Sequence, residues 1–308
     1  MTQADTTPTD AATRRVSHWW SLLGVVMSVG LVVAIVLQLD DANSDVLKTI
    51  SRLPPLVWLV LVLLYLTQPL CDFVVFRRLW NLPLAGFEAL LRKTVINEVV
   101  LGYSGEAYLY VWARRVAGVA AEPFAAIKDV NIISALLGNL LTFVLIAVSV
   151  TQLRELDFVQ RLGPALWSGL IPVAISIGLL VFGRRVFSLR LDQLVRVGLA
   201  HGLRLVVSTA LVVLVWRMAL PEIAPELWLV LLAIRYLVSR LPLISNKDLV
   251  FGNLMLLLLG GQSSVAVLLA ALALATLGLH LAVIVGLGAA DLFRSLRRSS
   301  APRAAAHT

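Results

Sequence analysis

Long apolar runs alternate with short polar connections along almost the whole chain. A helix needs about 20 apolar residues to cross a bilayer. Runs of that kind fall at 19–39, 55–75, 125–150, 164–183, 197–219, 226–240, 243–260 and 264–290. The gaps between them are too short to hold a folded soluble domain. The pattern predicts an all-α, polytopic helical membrane protein with eight spans.

Residues 91–118, LRKTVINEVVLGYSGEAYLYVWARRVAG, break this pattern. They place Glu98 and Glu106 among apolar residues, interrupt the segment at Gly102 and Gly105, and end on Arg114-Arg115. A carboxylate at the bilayer centre costs ~2.5 kcal/mol or more, so such acids face a protein interior or a wet cavity. Broken helices at membrane depth are tolerated only where protein or a cavity covers the freed backbone groups. The segment 86–118 is therefore expected to be a re-entrant pair of half-helices beside a polar site.

A second interruption lies at RLPLISNKDLVFGN, residues 240–253, with Pro242 as breaker and Asp248 as acid. Matching interrupted segments in two halves of a membrane protein point to a midplane site between repeats. An internal repeat is expected on that ground.

Composition agrees with the membrane reading. The 308 residues are 59% hydrophobic and 14% charged, with a mean hydropathy of +0.91; a soluble domain is roughly a quarter charged. The net charge of +8 arises from 26 basic against 18 acidic residues. The basic residues sit in pairs at the ends of apolar runs, such as Arg77-Arg78, Arg92-Lys93 and Arg184-Arg185. Nucleic-acid binding would need them gathered on one water-facing module, so nucleic acid is excluded as a partner. The distribution is that of positive-inside topology and of contact with anionic headgroups at the cytoplasmic face.

Taken together, connections 40–53, 151–163 and 217–226 hold seven acids against five bases, which places these outside and both termini in the cytoplasm. Arg14-Arg15 before an apolar run has the look of a twin-arginine signal. The run from Trp19 to Leu39 is longer than a signal-peptide core and no small-residue cleavage pattern follows. It is read as an uncleaved first span. The expected organisation is a cytoplasmic tail (1–18), a transmembrane domain (19–290) and a basic cytoplasmic tail (291–308). The eight tryptophans are expected to form an interfacial aromatic belt.

Cys71 is the single cysteine, and the four histidines never pair at ligand spacing. No metal and no cofactor is expected. On the helix after Pro123, Lys128, Asn131, Gly138 and Thr142 share one face. Thr276 and His280 are neighbours on the last span. Each could line a cavity. Each also has a plainer reading: Lys128 and Asp129 as a helix cap, Gly138 as a packing notch, His280 as a satisfied core residue, Asp72 as a partner of Arg77 or Arg78. Glu106, directly after Gly105, is the foremost functional candidate. Its expected cationic partner comes from another helix, with Arg235, Arg240 and Lys247 the candidates.

Taken together, GYSGEAYLYVWARR, LPLISNKDLVF and the last-span sequence ALALATLGLHLAVIVGLG resemble the flippase-like family that includes the transmembrane region of lysylphosphatidylglycerol synthases. The resemblance covers about residues 20–290. It matches Gly105-Glu106 to a first motif and Pro242 with Asp248 to a second. Two departures stand out: the basic residue after the Glu arrives only at Arg114, and Ser245-Asn246-Lys247 replaces a Gly-rich turn. The chain would be the membrane part alone, without an aminoacyltransferase domain.

The resemblance implies a translocator in the bacterial inner membrane. It would move an aminoacylated phospholipid, a lipid-linked sugar or a hopanoid-type lipid between leaflets. Arg114, Arg115, Arg240 or Lys247 would hold a phosphate; Glu106 and Asp248 would engage a cationic or hydroxylated headgroup or bind a coupling proton, with Glu98, Lys128, Asn131 and His280 as further candidate positions of the site. An alternative is a non-catalytic subunit that anchors a lipid-modifying enzyme or glycosyltransferase. A membrane enzyme using Glu106 as general base is a third reading. Against it, the sequence has no nucleophile–base pairing, phosphate loop or aspartate-rich metal motif, and the chain is read as not an enzyme.

Overall fold

The computed structural model describes residues 44–115, 123–155, 178, 186–241, 246–260 and 263–300. Residue 44 aside, these fall in one compact unit. The described residues are helical throughout, with short connections and no strand. Among the described residues a short helix, α1 (Ser44–Arg52), precedes two series of four. The first is α2 (Pro55–Trp80), α3 (Gly86–Val99), α4 (Ser104–Arg115) and α5 (Pro123–Glu155); the second is α6 (Leu191–Ala219), α7 (Pro225–Ser239), α8 (Lys247–Leu259) and α9 (Ser264–Ser300). Each series runs long, short, short, long.

Local sequence fixes the ends. Proline opens α2, α5 and α7, where the N–H it lacks would have had no helical acceptor. Asn81 stops α2 in the left-handed conformation, at φ 53°, which Asn tolerates better than most residues.

Among the described residues four helices are long and apolar enough to cross a membrane: Pro55–Trp80, Pro123–Ser149, Leu191–Ala219 and Ser264–Arg294. Their outward faces are apolar stripes. Leu56, Leu59, Leu63, Leu70 and Val74 recur at helical spacing on α2 and are exposed; Val195, Leu199, Leu203 and Val206 do the same on α6. Stripes this continuous would be an aggregation hazard in water and are at home against lipid tails. The molecule is a helical membrane protein.

The expectation of eight spans is not met. The runs 226–240 and 243–260 are the short helices α7 and α8, of 15 and 13 residues. At 1.5 Å per residue they reach only ~20 Å, against about 30 Å of hydrocarbon. The predicted spans 19–39 and 164–183 lie outside the described residues.

Helix directions follow from side-chain neighbours. Val75 and Phe76 near the end of α2 share a cluster with Val197 near the start of α6. Val57 and Val60 share another with Val212, Val215 and Trp216 near the end of α6. Helices α2 and α6 are therefore antiparallel. Asp129 at the start of α5 accepts the amides of Ser188 and Leu189 just before α6, and Ser134 bonds Arg204 further along, so α5 and α6 run parallel. Tyr65 bonds His280, and Glu88 beyond the end of α2 pairs with Arg294 near the end of α9. Helices α2 and α9 are parallel as well.

The aromatic belt is only partial. Trp216 and Trp228 are almost fully buried and pack ring to ring at 5.3 Å between α6 and α7. Their bulk fills the junction of two helices rather than marking an interface.

Candidate functional site

Helices α3 and α4 form a hairpin. A Cβ on Gly86, at its open end, would lie 3.4 Å from the Trp112 ring. Deeper in, Gly105 is pressed against the backbone of Lys93: a Cβ there would come within 2.2 Å of the Lys93 carbonyl oxygen. Asn97 closes the turn. Its Oδ1 accepts the Gly105 amide at 2.7 Å and its Nδ2 donates to Glu106 Oε1 at 3.1 Å. The first turn of α4 would otherwise carry free amides, and a side chain of the facing arm supplies an acceptor. The chain reaches α4 through Tyr103 at φ 73°, a left-handed conformation uncommon for a bulky residue.

Glu106 has a cationic partner, but not one of those expected from a distant helix. Lys93, from the other arm of the same hairpin, sits 3.3 Å from Glu106 Oε1 and 2.7 Å from Asp72 Oδ2. Arg235, Arg240 and Lys247 are engaged elsewhere. Asp72 in turn does not pair with Arg77 or Arg78. It is fully buried and accepts Lys93 and Gln68, because its place on α2 faces inward while Arg77 lies over the Phe73 ring. Gln68 also bonds Arg204 of α6, which reaches Ser134 of α5 at 3.4 Å. His201, one turn before Arg204, is buried beside Asp72 and Lys93. An interior polar network thus joins α2, α3, α4, α5 and α6.

Helices α7 and α8 make the second hairpin. Arg235 on the first arm bonds Asp248 in the first turn of the second at 2.7 Å, and Lys247 donates to the Ser239 carbonyl at 2.8 Å. Asn246 precedes α8 at φ 51°, as Tyr103 precedes α4. Each hairpin therefore sets a base on its first arm against an acid at the start of its second: Lys93 with Glu106, Arg235 with Asp248.

The two hairpins meet at their tips. The Asn246 amide donates to the Glu98 carbonyl at 2.7 Å. Glu98 is half-buried there, in the field of Asp248, Lys247 and Arg235. Tyr65 on α2 lies in the field of Glu98 and His280 on α9 in that of Asp248, and the two bond one another at 3.0 Å. Beside them is a cleft with Arg235, Asp248 and Thr276 among apolar walls that include Leu64, Trp216 and Leu272.

Of the residues singled out in the sequence, Glu98, Lys247, Asp248 and His280 come together at the tip contact. Gly105 and Glu106 bond Asn97 and belong to the Lys93 network. Arg240 runs back along α5, where its guanidinium occupies the notch left by Gly138 and reaches Asn139 at 3.4 Å. Thr142 bonds its own helix at the Gly138 carbonyl, and Thr276 bonds Leu272 likewise. Lys128 and Asp129 hold residues 186–189 and stand apart from both hairpin tips. Asn131 is half-buried on α5. Arg114 packs on Tyr110 at the open end of the first hairpin, and Arg115 is exposed beside it; neither reaches the interior site. Pro242 lies outside the described residues. Among the described residues no group of three or more potential metal ligands is present.

Lys93, Gln68, Asn97 and Arg204 were not singled out from sequence, and Asp72 was read only as a partner of Arg77 or Arg78. Their signal was helical spacing within apolar runs: Gln68 with Asp72, and Lys93 with Asn97, are each four residues apart and so on one face.

Compared with protein-family models, with curated proteins and with solved structures, the chain matches none.

Proposed function

We propose that the protein is a lipid translocator of the flippase-like kind, which lets a polar headgroup pass between leaflets while the acyl chains stay in the bilayer. The observation that carries this reading is the contact of Asn246 with Glu98. It joins the tips of two half-length hairpins inside a bundle of membrane-crossing helices, with an acid–base pair behind each tip. Neither arm of either hairpin is long enough to cross the bilayer, so both are read as re-entrant. With α2 and α6 antiparallel, the first hairpin enters from the side where α2 ends and the second from the side where α6 ends. The two series of four helices form an inverted repeat in this reading, and inverted repeats with discontinuous helices hold their sites near the midplane. In this reading the connections 40–53 and 217–226, each with one more acid than base, lie outside, in the inner membrane of a bacterium.

Buried charges support transport over mere anchoring. A scaffold gains nothing from carrying Asp72 and Lys93 buried, with Glu106 largely buried beside them, since well-packed apolar residues stabilise such positions at least as well.

The test is Glu106→Gln in the purified protein, reconstituted in vesicles that carry fluorescent phospholipid. The substitution nearly keeps the shape and leaves Lys93 its partner Asp72. It is expected to preserve folded protein and to slow lipid movement strongly. Equal rates for the two proteins would overturn the role of Glu106. If the wild type moved no lipid at all, the anchoring reading would take the place of transport.

A further inference from the structure

The two acid–base pairs stand at equivalent places, yet one is open and the other closed. The Arg235–Asp248 pair borders the cleft formed with α2, α6 and α9, its side chains 24% and 34% exposed. The Lys93–Glu106 pair is enclosed by the corresponding elements, α2, α5 and α6, and Gly105 lets the arms of its hairpin close to backbone contact. The closed pair is surrounded by polar atoms with nothing to bond. Among the described residues, Glu106 Oε2, Arg204 Nε and both ring nitrogens of His201 are buried without a hydrogen-bond partner, and His201 is only 1% exposed. Native proteins leave few such atoms, and each calls for a cause. Here several belong to one cluster.

We infer that Glu106, His201 and Arg204, held by Asp72 and Lys93, form a second headgroup site, the counterpart of the Arg235–Asp248 cleft, closed in this structure and opening as that cleft closes. The inference rests on the translocation reading and names the substrate class. A free guanidinium N–H needs an anionic oxygen, a free carboxylate oxygen needs an N–H or O–H donor, and imidazole serves either role according to tautomer. A phosphate carrying a primary ammonium group offers both in one headgroup, as phosphatidylethanolamine does. A choline headgroup has the phosphate and no N–H. The other pair shows the same complement, with Arg235 for the phosphate and Asp248 for the ammonium.

The experiment uses the full chain in vesicles, with acyl-labelled phosphatidylethanolamine and phosphatidylcholine as separate probes. Labelled lipid reaching the outer leaflet is followed by chemical quenching. Phosphatidylethanolamine should move roughly tenfold faster, the effect of about one charge-assisted hydrogen bond. In parallel, maleimide labelling of the native Cys71 reports opening of the closed site, because Cys71 is buried directly beside Asp72. Its labelling should rise several-fold when phosphatidylethanolamine is added to phosphatidylcholine vesicles. Arg204→Gln retains a polar amide towards Gln68 and Ser134 but loses the free N–H, and should abolish that rise. If this variant does not fold, the wild-type comparison decides. Movement of both lipids at one rate, or Cys71 labelling that does not respond to phosphatidylethanolamine, would overturn the second site and leave translocation standing. Movement of neither lipid would remove the translocation reading and the second site together.

Discussion

Asn246 and Glu98 join two parts of the chain separated by nearly half its length: the amide of one donates to the carbonyl of the other at 2.7 Å. The bond engages backbone groups that a continuous helix would have used internally. It is therefore available only because both segments are broken. Asn246 makes it from the left-handed region, φ 51°, and Tyr103 holds a similar conformation, φ 73°, before the other second arm. A non-glycine residue there costs roughly 1–2 kcal/mol, a little less for Asn.

Tyr103→Gly is accordingly expected to raise thermal stability, since Tyr103 is 58% exposed and gives up little packing. Asn246→Ala should lower it by roughly 1 kcal/mol, while Asn246→Gly stays near wild type. Thermal midpoints in detergent test both. A Tyr103→Gly protein that melts well below wild type would show that the ring, rather than the backbone, matters at that turn.

The Lys93 network gives the sharpest stability prediction. Lys93→Met leaves two carboxylates, Asp72 and Glu106, facing each other in the interior without their shared cation. Breaking a buried pair in this way costs about 3–5 kcal/mol. Adding Asp72→Asn and Glu106→Gln to Lys93→Met removes both charges and should recover most of the loss. Thermal melts of the single and triple variants decide the matter. If both melt at the same temperature, charge is not what Lys93 contributes.

The hairpin around Gly102–Gly105 was legible because it unites acids, glycines and apolar flanks that neither a loop nor a plain span would carry. The second hairpin was only half legible. Its arms are almost wholly apolar, and composition alone makes a 15-residue arm look like a slightly short span; length, not hydropathy, separates the two. The partners of Glu106 and Asp72 were not legible at all. Arg92-Lys93 reads as one of many basic pairs at the end of an apolar run, and it is the helix phase that sends its members apart. Arg92 turns outward to Asp291 at 2.6 Å, while Lys93 turns inward to Asp72. Two adjacent residues of like charge therefore take opposite roles, which a residue count does not reveal.

The proposed topology rests on the hairpin geometry and loop charge together. Labels at positions 88 and 115 should react from the cytoplasmic side, since Gly86 and Trp112 place the two ends of the first hairpin together. Labels at positions 45 and 222, on a Cys71→Ser background, should react only from outside. Reaction of 88 and 115 from opposite faces would make the segment a complete crossing and would exclude a re-entrant hairpin.

Two glycines separate a rigid close approach from a yielding one. A Cβ at Gly105 would lie 2.2 Å from the carbonyl oxygen of Lys93, which belongs to a helix backbone. A Cβ at Gly138 would lie 2.5 Å from a terminal nitrogen of Arg240, the far end of a long flexible side chain. The two overlaps are similar in size, but the atoms differ in how freely they move. Overpacking that a side chain cannot relieve costs typically 1–3 kcal/mol, occasionally more. Gly105→Ala also pushes α4 away from Asn97 and Lys93, and so strips Glu106 of both its partners. Gly105→Ala is therefore expected to reduce folded protein sharply and to abolish lipid movement in whatever folds. Gly138→Ala should be recovered in near wild-type amount, with Arg240 swung aside. Size-exclusion profiles of both variants in detergent measure the first effect, and reconstituted vesicles the second. A monodisperse, active Gly105→Ala protein would show that the arms of the first hairpin are not held at backbone contact.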